Sequence, residues 1–150
     1  MFRIENYTKD RIPDVLAFER ELRTQENFWG WEIDEDYIAA VTRSFDDPAF
    51  AGSLSLLAYE DDRVVGRIDS TMICSHFDGS TKAYLDWICV LKSHRHKCVA
   101  QQLMQTLRTE LKRRGANTLV GLIAANADAQ HFYRNMENAL IRDEGIWIDL

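Results

Sequence analysis

A short basic loop between a buried strand and an amphipathic helix is the part of this chain best suited to holding an anion. The basic loop, residues 92–98, contains Arg95, His96 and Lys97 and leads into apolar residues at helical spacing from Val99. The first turn of a helix offers unpaired backbone N–H groups and the positive end of the helix dipole. The pattern therefore predicts a phosphate or pyrophosphate site over the backbone of residues 96–101.

An aromatic pair on a later helix is a second candidate for chemistry. Asn126 precedes this helix and can hydrogen-bond a ligand, and Phe132 and Tyr133 follow within it. A phenol, with an ordinary pKa of about 10, is protonated at neutral pH and can act as a general acid. Taken alone, the pair indicates packing of a helix on a sheet; beside a phosphate loop, the catalytic interpretation is favoured.

A carboxylate lies on the strand that feeds the basic loop. Asp86 stands between Leu85 and Trp87. We expect these neighbours to bury it partly, which would make it a better proton acceptor. The alternative is a surface carboxylate, or one that hydrogen-bonds a neighbouring loop.

Aromatic and acidic residues cluster between the first two predicted helices. Trp29, Trp31 and Glu32 are followed by acids at residues 34–36. Aromatic faces with carboxylates suit a cationic amine. The alternative is an acidic helix N-terminus, with the tryptophans packed on the core.

Hydrophobic periodicity places these residues on an α/β framework. The order is strand, two helices, three strands, helix, strand, helix and two strands, which indicates a mixed, partly antiparallel sheet flanked by helices. The last three predicted elements are a helix over Ala127 to Met136 and a closing hairpin with strands over Ala139 to Arg142 and Ile146 to Leu150.

Two motifs on this framework resemble the acyl-CoA-binding core of the GNAT N-acetyltransferase superfamily. The phosphate loop of that family, (Arg or Gln)-x-x-Gly-x-(Gly or Ala), is matched by Arg95 and Ala100, with Cys98 in the usual glycine position. The second motif is matched by Asn126-x-x-Ala129-x-x-Phe132-Tyr133. The resemblance implies one GNAT domain over residues 1–150, with splayed central parallel strands.

The resemblance also implies the reaction and the residues that carry it. An acetyl group would move from acetyl-CoA to a primary amine by direct attack in a ternary complex, with Asp86 as base and Tyr133 as acid. Residues of the amine site would be Trp29, Trp31, Glu32 and Asp86. Residues of the cofactor site would be Ile88, Cys89, Val90, Arg95, His96, Lys97, Cys98, Val99, Ala100, Gln101, Asn126 and Phe132.

The cysteine in the phosphate loop leaves a second function open. Glycine there permits unusual backbone angles and a close approach of the ligand, which a Cβ and sulfur would hinder. The alternative is a non-catalytic acyl-CoA-binding or regulatory module. A thiol at a helix N-terminus beside basic residues can also be reactive, although a small residue tolerated in a tight turn is the favoured interpretation of Cys98.

Composition and charge exclude several other classes of protein. A chain of 150 residues fits one domain, and its net charge of -6 argues against nucleic-acid binding. No apolar run is long enough for a membrane span or a signal peptide, so we expect a cytoplasmic protein. Cys74, Cys89 and Cys98 have neither disulfide nor metal-site spacing. We expect no metal, a small-molecule or peptide amine as partner, and a monomer or homodimer.

Overall fold

The computed structural model describes residues 2–26 and 31–150, which contain five strands and four α-helices. The strands are β1 (Arg3–Asn6), β2 (Ser53–Glu60), β3 (Arg63–Cys74), β4 (Thr81–Val90) and β5 (Thr118–Gly121). The α-helices are α1 (Ile12–Gln25), α2 (Glu35–Ser44), α3 (Val99–Arg113) and α4 (Ala127–Arg134). Residues 1–120 and 121–150 form two compact units. None of the described helices combines the length and apolar character that a membrane span requires.

The five strands form one mixed sheet in the order β1-β2-β3-β4-β5, and β1 to β4 pair antiparallel. The N–H of Asn117, directly before β5, donates to the carbonyl of Thr81, the first residue of β4, over 3.1 Å. The two strands therefore begin at the same edge and run parallel, with α3 as the crossover between them. The prediction of a mixed, partly antiparallel sheet flanked by helices is confirmed.

Two helices, α1 and α3, pack on the sheet, and each does so through one buried apolar stripe. The buried stripe of α1 includes Val15, Phe18 and Leu22, and that of α3 is Val99, Leu103, Met104, Leu107 and Leu111. A Cβ on Gly66 of β3 would lie 2.9 Å from Val99 Cγ1 and 3.1 Å from Leu103 Cδ1. The missing side chain of Gly66 thus lets the start of α3 rest directly on the sheet.

The predicted closing hairpin is wrong. Residues 139–150 contain no strand, and Ile146 and Trp147 are each 81% exposed. Alternating apolar residues give a segment two different faces, but a strand also needs a neighbouring backbone edge with which to pair. The predicted helix before it forms and ends at Arg134, two residues earlier than expected.

A buried ionic network joins the sheet to α1 and α2. Glu19 on α1, only 2% exposed, accepts hydrogen bonds from Arg67 Nη1 on β3 at 2.8 Å and from the hydroxyl of Tyr37 on α2 at 2.8 and 2.9 Å. Arg67 Nε lies 2.8 Å from Asp69 Oδ2, and Ser55 Oγ donates to Asp69 Oδ1 at 2.6 Å. The network holds α2 against the sheet through one tyrosine.

The protonation states of the network follow from its burial. Removal from water raises the pKa of Tyr37 to about 12, and the charge of Glu19 adds to this effect. The carboxylates of Asp69 and Glu19 keep Arg67 charged and raise its pKa against the opposing effect of burial. Tyr37 therefore stays protonated throughout the neutral range and donates a hydrogen bond to Glu19.

A left-handed backbone at Cys98 shapes the start of α3. Cys98 has φ +64° and ψ +13°, and His96 two residues earlier has φ +61°. Such angles favour glycine, because a Cβ approaches the following carbonyl. The backbone thus accounts for glycine as the residue that suits position 98, as the sequence pattern suggested.

Substitution of Glu19 tests the network. We expect Glu19→Gln to lower the free energy of unfolding by about 3 kcal/mol, because Arg67 then keeps one carboxylate partner instead of two in a buried site. Urea unfolding followed by circular dichroism measures this change. Glu21→Gln on the same helix is the matched control, since the pair of Glu21 with Arg63 of β3 is much more exposed than that of Glu19 with Arg67, and we expect a change within about 1 kcal/mol. Equal effects of the two substitutions would contradict the assignment.

Substitution of Cys98 tests the backbone strain. We expect Cys98→Gly to raise the free energy of unfolding by about 1 kcal/mol, because glycine adopts a positive φ without a steric cost. Cys74 offers the control, since it is an exposed thiol at the end of β3 and is not among the positive-φ residues. Cys74→Gly should lower stability instead, and a gain there equal to that at position 98 would refute the interpretation.

Candidate active site

The pairing of β3 with β4 determines which backbone groups of β4 face the other edge. The N–H of Leu91 donates to the carbonyl of Val65 over 2.9 Å, so these two residues form a hydrogen-bonded pair. Hydrogen-bonded and non-hydrogen-bonded pairs alternate along an antiparallel ladder. Ile88 and Val90, opposite Ile68 and Gly66, therefore direct their N–H and C=O groups away from β3.

Strand lengths leave this part of β4 beyond its parallel neighbour. β5 has four residues and begins beside Thr81, whereas β4 has ten. The four-residue strand therefore runs beside the first half of β4, and Ile88 and Val90 lie past its end. The apolar run in the sequence continues to Ala124, beyond the end of β5. Within the part of the chain that the structure describes, no strand pairs with β4 at Ile88 and Val90 on this side.

A β-bulge falls at Asp86, directly before these residues. Trp87 is opposite Asp69 and Leu85 is opposite Ser70, so Asp86 is the extra residue on β4. Its side chain is exposed, and the expected partial burial of Asp86 is wrong. A bulge redirects one side chain out of the regular alternation, which explains the difference. The carboxylate faces solvent, where a substrate can reach it.

The basic loop begins with a 3-10 turn that a buried histidine holds in place. His94 is 5% exposed, and its Nε2 lies 2.8 Å from Oε2 of Glu60 at the end of β2. Its Nδ1 lies 2.8 Å from the hydroxyl of Ser93, and Phe2 packs edge-on against its ring. The hydrogen bond from His94 lowers the pKa of Glu60, so this carboxylate stays ionised. The buried ring of His94 thus holds the basic loop against the end of β2.

The end of α1 holds the basic loop from a second side. The side-chain oxygen of Gln25 accepts the N–H of Lys92 over 2.8 Å, and the next residue, Glu26, pairs with Arg95. Arg95 Nε also donates to the carbonyl of Val90 at 3.4 Å. Burial raises the pKa of the neighbouring Cys89 thiol to about 11, so it stays protonated. The guanidinium of Arg95 therefore contacts Glu26 and the carbonyl of Val90.

The start of α3 presents the groups expected to bind an anion. The first helical bond runs from the N–H of Gln102 to the carbonyl of Cys98, so the N–H groups of Val99, Ala100 and Gln101 have no carbonyl partner within the helix. The side chains of His96, Lys97, Cys98 and Gln101 are exposed, Ala100 is half-buried, and Val99 is buried against Gly66. Backbone donors and two exposed basic side chains therefore lie together at one helix end.

The predicted amine-site residues lie near α2, as far as the structure describes them. Trp31 is 41% exposed, and its ring centroid lies 6.3 Å from that of Tyr37. The guanidinium of Arg23 lies over the Trp31 ring at 5.6 Å. Glu32 is exposed, and Trp29 lies outside the described residues.

The second motif belongs to residues 121–150. Asn126 begins α4, because its Oδ1 accepts the N–H of Ala129 over 2.8 Å. The rings of Phe132 and Tyr133 contact edge-to-face with centroids 5.1 Å apart. Burial raises the pKa of Tyr133 above its ordinary value. Its hydroxyl therefore carries a proton well into the alkaline range.

Several residues that hold the basic loop escaped sequence reasoning. Gln25, Glu26 and Glu60 contact it, yet all three are distant from it in the chain. The only feature of the sequence that could have indicated these contacts is the pair of polar residues Gln25 and Glu26 at the end of α1. Among the described residues, no three His, Cys, Asp or Glu side chains group into a possible metal site, and the three cysteines are free thiols.

Comparison of whole structures finds acetyltransferases with the same fold. An aminoglycoside acetyltransferase, meta-AAC0020, from an uncultured soil metagenomic sample in complex with sisomicin has a TM-score of 0.83 at 12% identity, over 99% of this chain and 96% of the other. A ribosomal-protein-alanine N-acetyltransferase from Brucella melitensis biovar Abortus 2308 has a TM-score of 0.76 at 19% identity, over 99% and 98%.

A further similar structure contains a coenzyme A derivative. It is AAC(6')-Iy in complex with the bisubstrate analog CoA-S-monomethyl-acetylneamine, with a TM-score of 0.77 at 16% identity, over 100% of this chain and 98% of the other. At these identities the likeness establishes the fold alone. No curated protein sequence matches this chain at a significant level.

A sequence model of one family matches most of the chain. It is the model of the acetyltransferase (GNAT) family, and it covers residues 3–137. The match includes β4, the basic loop, α3 and α4, the elements that carry the two motifs. The chain therefore belongs to the GNAT acetyltransferase family.

Proposed function

We propose that this protein is an acetyl-CoA-dependent N-acetyltransferase that acts on a primary amine by direct attack in a ternary complex. The observation that carries the proposal is the continuous run from the outward-facing backbone of Ile88 and Val90 to the donors at the start of α3. An extended arm can pair with the strand edge while its pyrophosphate meets the helix N-terminus.

The donor set fits coenzyme A. Backbone groups of Ile88 and Val90 would pair with the pantetheine arm, which would pass Cys89, whose own backbone groups face β3. Residues 95–101 would hold the pyrophosphate, mainly through N–H groups, with Lys97 adding positive charge and the exposed His96 ring a further polar contact. Asn126 and Phe132 of the second motif would contact the cofactor from α4. When bound, acetyl-CoA supplies an acetyl group activated as a thioester.

Two side chains are proposed to move protons. The exposed carboxylate of Asp86 would accept a proton from the amine, directly or through water. The phenol of Tyr133 would donate a proton to the departing thiolate, and its raised pKa keeps that proton available. Backbone N–H groups at the end of β4 would stabilise the negative charge that develops on the carbonyl oxygen.

The amine is proposed to be a small molecule or a peptide amine. The similar structures include acetyltransferases named for aminoglycosides and for a ribosomal-protein alanine. Here the exposed Trp31 and Glu32, with Trp29, would form one wall of the amine site. An aromatic ring beside a carboxylate attracts a protonated amine.

Direct binding tests the cofactor assignment. Calorimetric titration with acetyl-CoA is expected to give a micromolar Kd, which corresponds to a binding free energy of about -8 kcal/mol. We expect Cys98→Gly to bind more tightly, because it removes a Cβ from the pyrophosphate side of the loop. Absence of binding by both forms would refute the acetyltransferase proposal.

A panel of amines then separates the enzyme from a binding module. It should include aminoglycosides, polyamines and peptides with N-terminal alanine or internal lysine, with release of coenzyme A as the readout. Turnover of one class supports the enzyme. The left-handed Cys98 is the observation that favours the second candidate, a non-catalytic acyl-CoA-binding module. Binding without turnover over the whole panel would establish that candidate.

Tyr133→Phe tests the acid. We expect kcat to fall about 100-fold, with the KM for acetyl-CoA little changed, because only the hydroxyl is lost. In the native protein, kcat should persist into alkaline pH, since a raised pKa keeps Tyr133 protonated there. A stopped assay at saturating substrates over pH 6 to about 10 measures both effects.

The same assay tests the base, with a matched control. Asp86→Asn should lower kcat at each pH, because an amide accepts no proton. Asp62→Asn, in the exposed turn between β2 and β3, should leave kcat unchanged. Full activity of Asp86→Asn would remove Asp86 from the mechanism, and full activity of Tyr133→Phe would remove the tyrosine.

A further inference from the structure

Two consecutive residues at the end of α1 hold the basic loop through different chemistry. The side-chain oxygen of Gln25 accepts the backbone N–H of Lys92 over 2.8 Å, and Glu26 pairs with the guanidinium of Arg95. The loop lies 67 to 69 residues further along the chain than its two partners. The contacts therefore depend on the tertiary fold, and they fix both the start and the middle of the loop.

The ion pair of Glu26 and Arg95 is partly shielded from solvent. The Glu26 side chain is 14% exposed and that of Arg95 is 28% exposed. A partly buried ion pair is screened less than one at the surface. Because Arg95 Nε also donates to the carbonyl of Val90 at 3.4 Å, one guanidinium joins α1 to the last residue of β4. Arg95 thus links the strand edge and the loop that follows it.

From these contacts we infer that Glu26 is a positioning residue for acetyl-CoA, which it does not touch. It holds Arg95, and through Arg95 the backbone between Val90 and the start of α3, in the shape that binds the cofactor. The inference rests on the proposed function. A loop held in its binding conformation loses less conformational entropy on association, so its affinity is higher.

Electrostatics alone predicts the opposite effect. Glu26 is a negative charge beside a loop proposed to bind an anion. If its charge acted only at a distance, its removal would strengthen binding of acetyl-CoA. If it positions Arg95, its removal weakens binding. The two accounts therefore differ in the sign of one measurable change.

Calorimetric titration of native protein and Glu26→Gln with acetyl-CoA decides between them. We expect the Kd to rise about tenfold, with the melting temperature shifted by only a few degrees. In steady-state assays the KM for acetyl-CoA should rise while kcat stays near the native value, since no reacting atom is touched. Glu110→Gln is the matched control, because it removes a carboxylate paired with two arginines at the far end of α3.

Two further variants keep the test decisive. Gln25→Ala removes the hydrogen bond to Lys92, together with the one that the Gln25 amide donates to Glu21 at 3.2 Å, and should raise the Kd by about threefold. Glu26→Gln combined with Arg95→Gln should weaken binding by less than the product of the single effects, because both substitutions break one interaction. This non-additivity is expected of a positioning pair and not of two independent contacts.

The outcomes separate this inference from the function on which it rests. Binding by Glu26→Gln that equals or exceeds native binding overturns the positioning role and leaves the acetyl-CoA assignment intact. Equal weakening by Glu110→Gln also overturns it, since that would reflect a general loss of stability. Failure of the native protein to bind acetyl-CoA overturns both proposals.

Discussion

The register between β3 and β4 is the constraint on which the proposed site depends. Because Leu91 and Val65 form a hydrogen-bonded pair, Ile88 and Val90 direct their polar groups to the other edge. The register after the bulge also puts Val90 opposite Gly66, against the buried Val99. A shift of one residue would exchange the two faces of the strand and separate the free edge from the start of α3.

A buried ion network holds the two N-terminal helices over this sheet. Desolvation of Glu19 and Arg67 opposes folding, and the pair is stable only because Tyr37 and Asp69 supply further hydrogen bonds. The network specifies the position of α2 and, through Tyr37, the environment of Trp31. Its role is therefore to fix geometry near the proposed amine site, where an all-apolar contact would allow α2 to slide.

Sequence reasoning was most accurate where the signal is local. The apolar stripe of α3 follows from side-chain spacing and is confirmed. The acidic helix N-terminus at residues 34–36 is also observed, since Asp34 Oδ1 accepts the N–H of Tyr37 at the start of α2. The partners of Glu19 and Glu26 were not predictable, because they lie 48 and 69 residues away. The predicted hairpin over residues 139–150 was wrong because alternating apolar residues are a property of one segment, whereas a strand forms only when a second segment pairs with it. The exposure of Asp86 depended on a bulge that is defined only by the partner strand.

The loop contacts explain how a cysteine occupies a position that suits glycine. A left-handed residue other than glycine persists only where the surrounding structure over-determines the backbone, at a cost of about 1–3 kcal/mol. Here Gln25, Glu26 and Glu60 hold the residues before Cys98, and helix α3, with Val99 buried against Gly66, holds those after it. The strain at Cys98 is therefore balanced by contacts from three separate elements, which hold the left-handed backbone at a residue other than glycine. Glycine would adopt this conformation without a steric cost, whereas cysteine adopts it only because these contacts hold the loop.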